Sequence, residues 1–78
     1  MRLLVVEDDR QLRDQLAQGL IDSGFVVDVA GDGREGLYYA TEYDYDLAII
    51  DLGLPEIAGI DLVIALREAQ REFPVLVL

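Results

Sequence analysis

Short aliphatic blocks alternate along the chain with longer stretches whose apolar residues recur every three or four positions. The aliphatic blocks predict strands, and the longer stretches predict amphipathic helices. The predicted strands are Arg2–Val6, Val26–Ala30, 47–51 and 74–78, and the predicted helices are 10–23, 32–42 and 59–70. This alternation predicts right-handed βαβ units, and therefore an α/β fold in which helices flank one parallel sheet.

Polar residues mark the ends of the predicted helices. Asp9 is expected to cap the first helix, and Asp32, followed three residues later by Glu35, is expected to cap the second. Gly24 suits the end of the first helix, because glycine readily adopts a left-handed conformation. The polar residues of the first helix cluster on one face, which we expect to be exposed; they are Gln11, Gln15, Gln18 and Asp22.

Acidic residues follow two of the predicted strands directly. Glu7, Asp8 and Asp9 come after the first strand, and Asp51 ends the apolar run of the third. The carboxyl ends of parallel strands lie at one edge of a sheet, which is where ligands bind in open α/β folds. We therefore expect Glu7, Asp8 and Asp51 to form an acidic pocket. The alternative is purely local, with Asp8 and Asp9 capping a helix and Asp51 starting a turn.

The chemistry of such a pocket favours a cation. Clustered carboxylates raise one another's pKa unless a positive charge neutralises them. A set of oxygen ligands suits Mg²⁺, which pairs naturally with phosphate. An aspartate at such a site can act as a nucleophile and form an aspartyl-phosphate. Asp51 is the candidate for that role.

Composition narrows the function classes. The 78 residues allow one domain, and their formal net charge of −10, with no lysine and no histidine, disfavours binding to nucleic acid or anionic membranes. The absence of cysteine excludes disulfides and thiolate metal sites. No apolar run is long enough for a membrane span and no signal peptide is evident, so we expect a cytoplasmic protein.

A glycine-rich segment offers a second interpretation. Residues 31–36 read G-x-G-x-x-G between a predicted strand and a predicted helix, as in dinucleotide-binding domains. However, Asp32 and Glu35 stand where a pyrophosphate would lie, and Asp32 is expected to occupy the helix amides itself. Asp28 within the preceding strand also predicts a sheet edge that reaches water. A capped turn is the favoured interpretation.

Aromatic residues gather around the end of the second helix. We expect these tyrosines to pack at the flank of the helix with their hydroxyl groups reaching water. The four residues are Tyr38, Tyr39, Tyr43 and Tyr45. On the third helix, Ile60 and Ile64 are predicted to point away from the core face formed by Leu62, Ala65, Leu66 and Ala69.

At these positions the sequence resembles the receiver domain of two-component response regulators. The resemblance rests on the acidic pair after the first strand and on Asp51-Leu52-Gly53-Leu54-Pro55 with Gly59 following, and it extends over the whole chain. The Asp-Leu-Gly-Leu-Pro form is most similar to the OmpR/PhoP-like branch, whose members carry a winged-helix DNA-binding domain. The resemblance implies a flavodoxin-like sheet with strand order 2-1-3-4-5.

The resemblance also assigns roles to individual residues. It implies that Asp51 accepts a phosphoryl group from the phosphohistidine of a sensor histidine kinase, in a signalling domain that is not an enzyme. It implies that Mg²⁺ is bound by Glu7, Asp8, Asp51 and the backbone carbonyl of Gly53. It implies that the kinase docks on the helix face that carries Gln11, Gln15 and Gln18. The longer parent protein would be a regulator of transcription.

The family pattern extends beyond this sequence. In the family, a Ser or Thr after the fourth strand and a Lys after the fifth bind the phosphoryl group, whereas this chain stops at Leu78 and has no lysine. We therefore expect residues 1–78 to be the N-terminal portion of a receiver, without α4, β5, α5 or a DNA-binding domain, so that DNA contact and switching would need the missing parts. The sheet should be uncovered near Leu4, Val6 and Ile49, and the fragment should self-associate.

An enzyme of a different class remains an alternative. A Mg²⁺-dependent phosphohydrolase with an aspartyl nucleophile would use the same pocket. Such an enzyme needs a second acid two residues after the nucleophile as a proton donor, and that position is Gly53. The glycine favours the receiver over the hydrolase.

Overall fold

Seven elements alternate along the chain, and the computed structural model describes all of residues 1–78. The strands are β1 (Arg2–Val6), β2 (Val26–Ala30), β3 (Leu47–Ile50) and β4 (Val75–Val77). The helices are α1 (Arg10–Asp22), α2 (Gly33–Glu42) and α3 (Gly59–Glu68). The predicted α/β alternation is therefore confirmed, and the predicted bounds differ from the observed ones by at most two residues. None of the helices is long and apolar enough to cross a membrane.

The four strands are parallel and lie in the order β2-β1-β3-β4. This order matches the first four strands of the flavodoxin-like arrangement. The chain leaves β1 towards β2 on one side and later returns to β3 on the other. Helices therefore cover both faces of the sheet, and the ends of β1 and β3 lie side by side at the point where the strand order reverses.

The main core lies between the sheet and the helices α2 and α3. Leu4, Val6 and Ile50 point into it and are at most 1% exposed. Leu62 and Leu66 of α3 are fully buried against them, as the helical pattern predicts, whereas the nearby Ala69 is exposed. The remaining members of the core cluster are Ala30, Ala40, Tyr45, Ala48 and Leu54.

The prediction that Leu4, Val6 and Ile49 would be uncovered is wrong. Leu4 and Val6 lie on the face that α2 and α3 cover. Ile49 lies on the opposite face, beside Val5 in the sheet, and is only 7% exposed. Exposed apolar side chains lie elsewhere, among them Leu12 on α1 and Leu76 on β4.

Two helices end with the same backbone arrangement. At the end of α1, Gly24 has φ +98°, and the Phe25 amide donates a hydrogen bond to the Leu20 carbonyl. At the end of α3, Gln70 has φ +62°, and the Arg71 amide donates to the Leu66 carbonyl. Both are Schellman motifs. The first confirms the role predicted for Gly24, and the second explains why α3 ends before the predicted position 70.

A polar cluster links β1, β2 and the segment just before β3, towards the end of the sheet opposite the acids. The Asp28 carboxylate accepts hydrogen bonds from Arg2 Nε at 3.0 Å and NH2 at 2.7 Å, and from the Tyr45 hydroxyl at 2.7 Å. The Arg2 guanidinium also lies 5.1 Å from the centre of the Tyr43 ring. β2 is an edge strand as predicted, but the expectation that the Tyr45 hydroxyl reaches water is wrong, because Asp28 binds it inside the protein.

Tyr45→Phe should destabilise the fold. A hydrogen bond to a charged group contributes about 1.5–3 kcal/mol, so a loss near the lower end is expected in urea denaturation. Burial raises the pKa of Tyr45 above its ordinary value of 10.0, with a further contribution from the Asp28 carboxylate. The contribution is therefore complete below about pH 10 and declines as the pH rises further. Tyr38→Phe is the control, because Tyr38 is 57% exposed; equal losses in the two variants would contradict the assignment.

Self-association stays a prediction, and β4 is the element that would carry it. β4 is an edge strand, with Leu76 52% and Leu78 55% exposed. Unprotected edge strands pair readily with other chains. Sedimentation velocity at micromolar concentration should show dimers or larger species. Their share should grow with salt, because salt screens the repulsion between chains of net charge −10. A stable monomer at all salt concentrations would refute the prediction.

Candidate functional site

The acids that follow β1 and β3 meet at one edge of the sheet. The Asp51 amide donates to the Val6 carbonyl at 2.9 Å, and the Glu7 amide donates to the Ala30 carbonyl at 3.1 Å, so the strand ladder continues up to these residues. One carboxylate oxygen from each of Glu7, Asp8 and Asp51 lies within 4.8 Å of the others. The structure thus forms the acidic cluster that the sequence predicts.

The three carboxylates differ in environment. Glu7 is buried at 7% exposure, Asp51 is half-buried and Asp8 is exposed. Burial raises the pKa of Glu7, and the neighbouring carboxyl groups of Asp8 and Asp51 raise it further. The Asp9 amide, which donates to Glu7 Oε2 at 3.2 Å, offsets part of this effect. The fold therefore places a carboxylate where its negative charge is unfavourable unless a cation neutralises it.

No basic side chain neutralises the cluster. The four ion pairs of the structure involve other residues. Arg13, on α1, reaches this region, but its NH1 donates to the Glu7 backbone carbonyl at 3.1 Å and not to a carboxylate. A cluster of carboxylate oxygens with one side open to solvent fits a hard divalent cation such as Mg²⁺.

The alternative local roles apply only in part. Asp9 caps α1, because its Oδ1 accepts a hydrogen bond from the Leu12 amide at 3.1 Å, as predicted. Asp51 Oδ1 accepts a long bond of 3.3 Å from the Gly53 amide, which helps to form the turn. Asp8 caps no helix. Capping therefore does not account for the convergence of Glu7, Asp8 and Asp51.

The loop after Asp51 is held close to the strand. The Gly59 amide donates to the Leu52 carbonyl at 3.2 Å. A Cβ atom at position 59 would lie 2.5 Å from the Asp51 carbonyl oxygen and 2.8 Å from Leu52 Cα, so only glycine allows α3 to start here. Leu54 inserts into the core at 7% exposure. Gly53, between Leu52 and the buried Leu54, is exposed. The role of its carbonyl as a metal ligand stays a prediction.

The glycine-rich segment serves packing in this structure. Asp32 Oδ1 accepts a bond from the Glu35 amide at 2.8 Å, which confirms the predicted cap. Gly33 and Gly36 are buried, and a Cβ on Gly36 would lie 2.9 Å from a Val6 methyl. β2 is an edge strand. Since Asp32 occupies the helix amides and the glycines contact protein, nothing here supports the dinucleotide interpretation.

The remaining site predictions concern a surface. Gln11, Gln15 and Gln18 are all exposed on one face of α1, as predicted. Their role in docking a partner is not decided by exposure and stays a prediction. Sequence reasoning missed the bond from Arg13 to the Glu7 carbonyl; its position one turn into α1 is the only signal that could have pointed to it.

Comparison with known sequences identifies relatives over the whole chain. The response regulator PhoP of Pseudomonas aeruginosa is 50% identical over 78 residues, which are all of this chain and 35% of that protein. The transcriptional regulatory protein CusR of Escherichia coli is 45% identical over the same span, which is 34% of its length. The chain thus spans about a third of the length of these curated relatives.

Solved structures give the same result for the fold. The receiver domain of the Francisella response regulator 1452 matches with a TM-score of 0.94 and 30% identity, over 97% of this chain and 63% of that one. The response regulator TrrA of Thermotoga maritima, solved in complex with Mg²⁺ and BeF, matches with a TM-score of 0.89 and 31% identity, over 95% of this chain and 64% of that one. The family sequence model of the response regulator receiver domain matches residues 3–78 of this chain. The chain therefore belongs to the family of response regulator receiver domains.

Proposed function

We propose that the chain is a Mg²⁺-dependent phosphoacceptor in which Asp51 receives a phosphoryl group from the phosphohistidine of a sensor histidine kinase. The observation that carries the proposal is the convergence of Glu7, Asp8 and Asp51 within 4.8 Å, with no basic side chain among them. The proposed ligands of the ion are Glu7, Asp8, Asp51 and the Gly53 carbonyl. Membership of the receiver family and the Mg²⁺ complex of TrrA support this assignment.

Asp51 supplies the nucleophile. One of its carboxylate oxygens attacks phosphorus, an O–P bond forms as the P–N bond of the donor histidine breaks, and the electron pair of that bond stays with the imidazole. The hydrogen bond from the Asp51 amide to the Val6 carbonyl fixes the backbone of this residue, and the bond from the Gly53 amide to Asp51 Oδ1 helps to orient the carboxylate. A bound Mg²⁺ would supply positive charge against the carboxylates and the phosphoryl oxygens.

Glu7 and Asp8 act through their charge. In a chain without histidine or cysteine, little acid–base chemistry is available, and phosphoryl transfer needs little of it. Position 53 is a glycine, so the chain lacks the second acid that a phosphohydrolase of the aspartyl type requires. This difference favours acceptance and storage of the phosphoryl group over its turnover.

Partners follow from the same proposal. The exposed face with Gln11, Gln15 and Gln18 is the proposed docking surface of the kinase, which chemical cross-linking to a cognate kinase would test. The name of CusR, a transcriptional regulatory protein, supports a longer parent protein that regulates transcription, and contact with DNA through another domain stays a prediction. The cytoplasmic location stays a prediction.

Acetyl phosphate and Mg²⁺ should transfer one phosphoryl group to the full chain, which intact-mass spectrometry measures. Hydroxylamine should remove the group, because it cleaves acyl phosphates. Asp51→Asn should reduce the modification to background. Asp22→Asn is the matched control, because Asp22 is an exposed aspartate at the far end of α1 and should leave the modified fraction unchanged.

The same experiment separates the alternatives. Modification of Asp51→Asn to the wild-type extent would refute Asp51 as the acceptor. Steady release of phosphate from an aryl phosphate, with no stable modified form, would support the phosphohydrolase.

Glu7→Gln should raise the unfolding temperature of the metal-free chain at pH 7 by a few degrees. Because burial raises the pKa of Glu7 above 4.5, the fold favours the protonated side chain, and this contribution is lost as the pH rises through the raised pKa. A neutral amide of the same shape avoids the loss and can still accept the Asp9 amide. The measurement is thermal unfolding in a chelator, with the exposed Glu72→Gln as control. A lower unfolding temperature for Glu7→Gln than for wild type would contradict the electrostatic account.

A further inference from the structure

The first turn of α2 lies against the loop that follows Asp51. Gly33, the first residue of α2, is buried. A Cβ atom at this position would lie 2.7 Å from Ile57 Cβ and 2.8 Å from the Ile57 carbonyl oxygen, both closer than real Cβ contacts allow. The second obstacle is backbone, so a side-chain rotation cannot relieve it. Any larger residue at position 33 would have to move the loop itself.

The loop carries backbone strain at this contact. Glu56 has φ +68°, in the left-handed region that is unfavourable for a non-glycine residue. Such a conformation persists only where the surroundings hold it. Arg34 Nε lies 3.5 Å from Glu56 Oε2, but both side chains are largely exposed and exposed pairs of this kind contribute little to stability. The close approach of Gly33 to Ile57 is therefore the stronger constraint.

Gly53 lies in the same loop, between two fixed points. On one side, Gly59 packs on the Asp51 and Leu52 backbone. On the other, Ile57 packs on Gly33, and the Ile57 amide donates to the Pro55 carbonyl at 2.8 Å. Between them, Leu54 is held in the core and the turn from Pro55 to Ile57 is hydrogen-bonded, so a displacement of Ile57 would strain the short segment that carries Gly53.

We propose that Gly33 is a positioning residue for the cation site: its contact with Ile57 holds the 52–58 loop, and with it the Gly53 carbonyl that the proposed function assigns to the cation. This inference rests on the proposed function, which makes that carbonyl a metal ligand. It gives the 31–36 segment a purpose other than nucleotide binding. Supporting groups of this kind typically change metal affinity by about 10- to 100-fold when altered.

The test compares Mg²⁺ affinity with stability in the full chain. Gly33→Ala should raise the Mg²⁺ dissociation constant about tenfold in calorimetric titration, because the added methyl group displaces the loop. Alanine is a favourable helix residue, so α2 itself should persist. Ala40→Gly is the matched control, since Ala40 is fully buried in the same helix, about 10 Å further along its axis. It should lower the unfolding temperature while leaving the Mg²⁺ dissociation constant unchanged.

Each outcome has a distinct meaning. If wild type binds no Mg²⁺, the proposed function is wrong. If wild type binds Mg²⁺ and Gly33→Ala binds it equally well, or if Ala40→Gly loses as much affinity as Gly33→Ala, the positioning role is wrong. Should Gly33→Ala fail to fold, Ile57→Gly carries the test, because it removes the Cβ atom that lies against Gly33. It should weaken Mg²⁺ binding in the same direction, and unchanged affinity would overturn the proposal.

Discussion

The backbone ladder between β1 and β3 brings together carboxylates that repel one another. The hydrogen bond from Asp51 to Val6 extends the pairing of β1 with β3 up to the acids, and the bond from Glu7 to Ala30 extends the pairing of β1 with β2. The apolar core beneath them fixes the register, since Val6 and Ile50 are fully or almost fully buried side by side. Because register cannot slip without exposing that core, the charges cannot separate. The fold thus holds the carboxylates close together despite their mutual repulsion, and this repulsion makes the site suitable for a cation.

The loop and helix contacts around the pocket serve the same constraint. Gly59 brings the start of α3 against the Asp51 backbone, and Gly33 brings the start of α2 against Ile57. Leu54 anchors the middle of the loop in the core. Towards the opposite end of the strands, the polar cluster of Arg2, Asp28 and Tyr45 joins β1, β2 and the segment before β3. The site is therefore built on strands that are held at both of their ends, as pre-organised sites require.

Features with a local signal could be predicted from the sequence. The caps at Asp9 and Asp32, the turn at Gly24 and the strand ends at Glu7 and Asp51 all follow from residues within a few positions of one another. The meeting of Glu7 with Asp51 followed from parallel-sheet topology, but other contacts between distant residues could not be predicted. Tyr45 reaches Asp28 across 17 positions, and Gly33 meets Ile57 across a whole strand. The exposure expected at Leu4 and Val6 was wrong. Strand alternation shows which residues share a face of the sheet, but it does not show which helices cover that face.

Thermal unfolding of the chain as a function of Mg²⁺ concentration tests the central claim most directly. The account predicts that the unfolding temperature rises continuously with Mg²⁺, because an ion that binds only the folded carboxylate cluster stabilises it by mass action. A sodium salt at the same ionic strength should give a much smaller rise. An unfolding temperature that does not depend on Mg²⁺, or that rises equally with sodium, would contradict the claim that Glu7, Asp8 and Asp51 form a specific cation site.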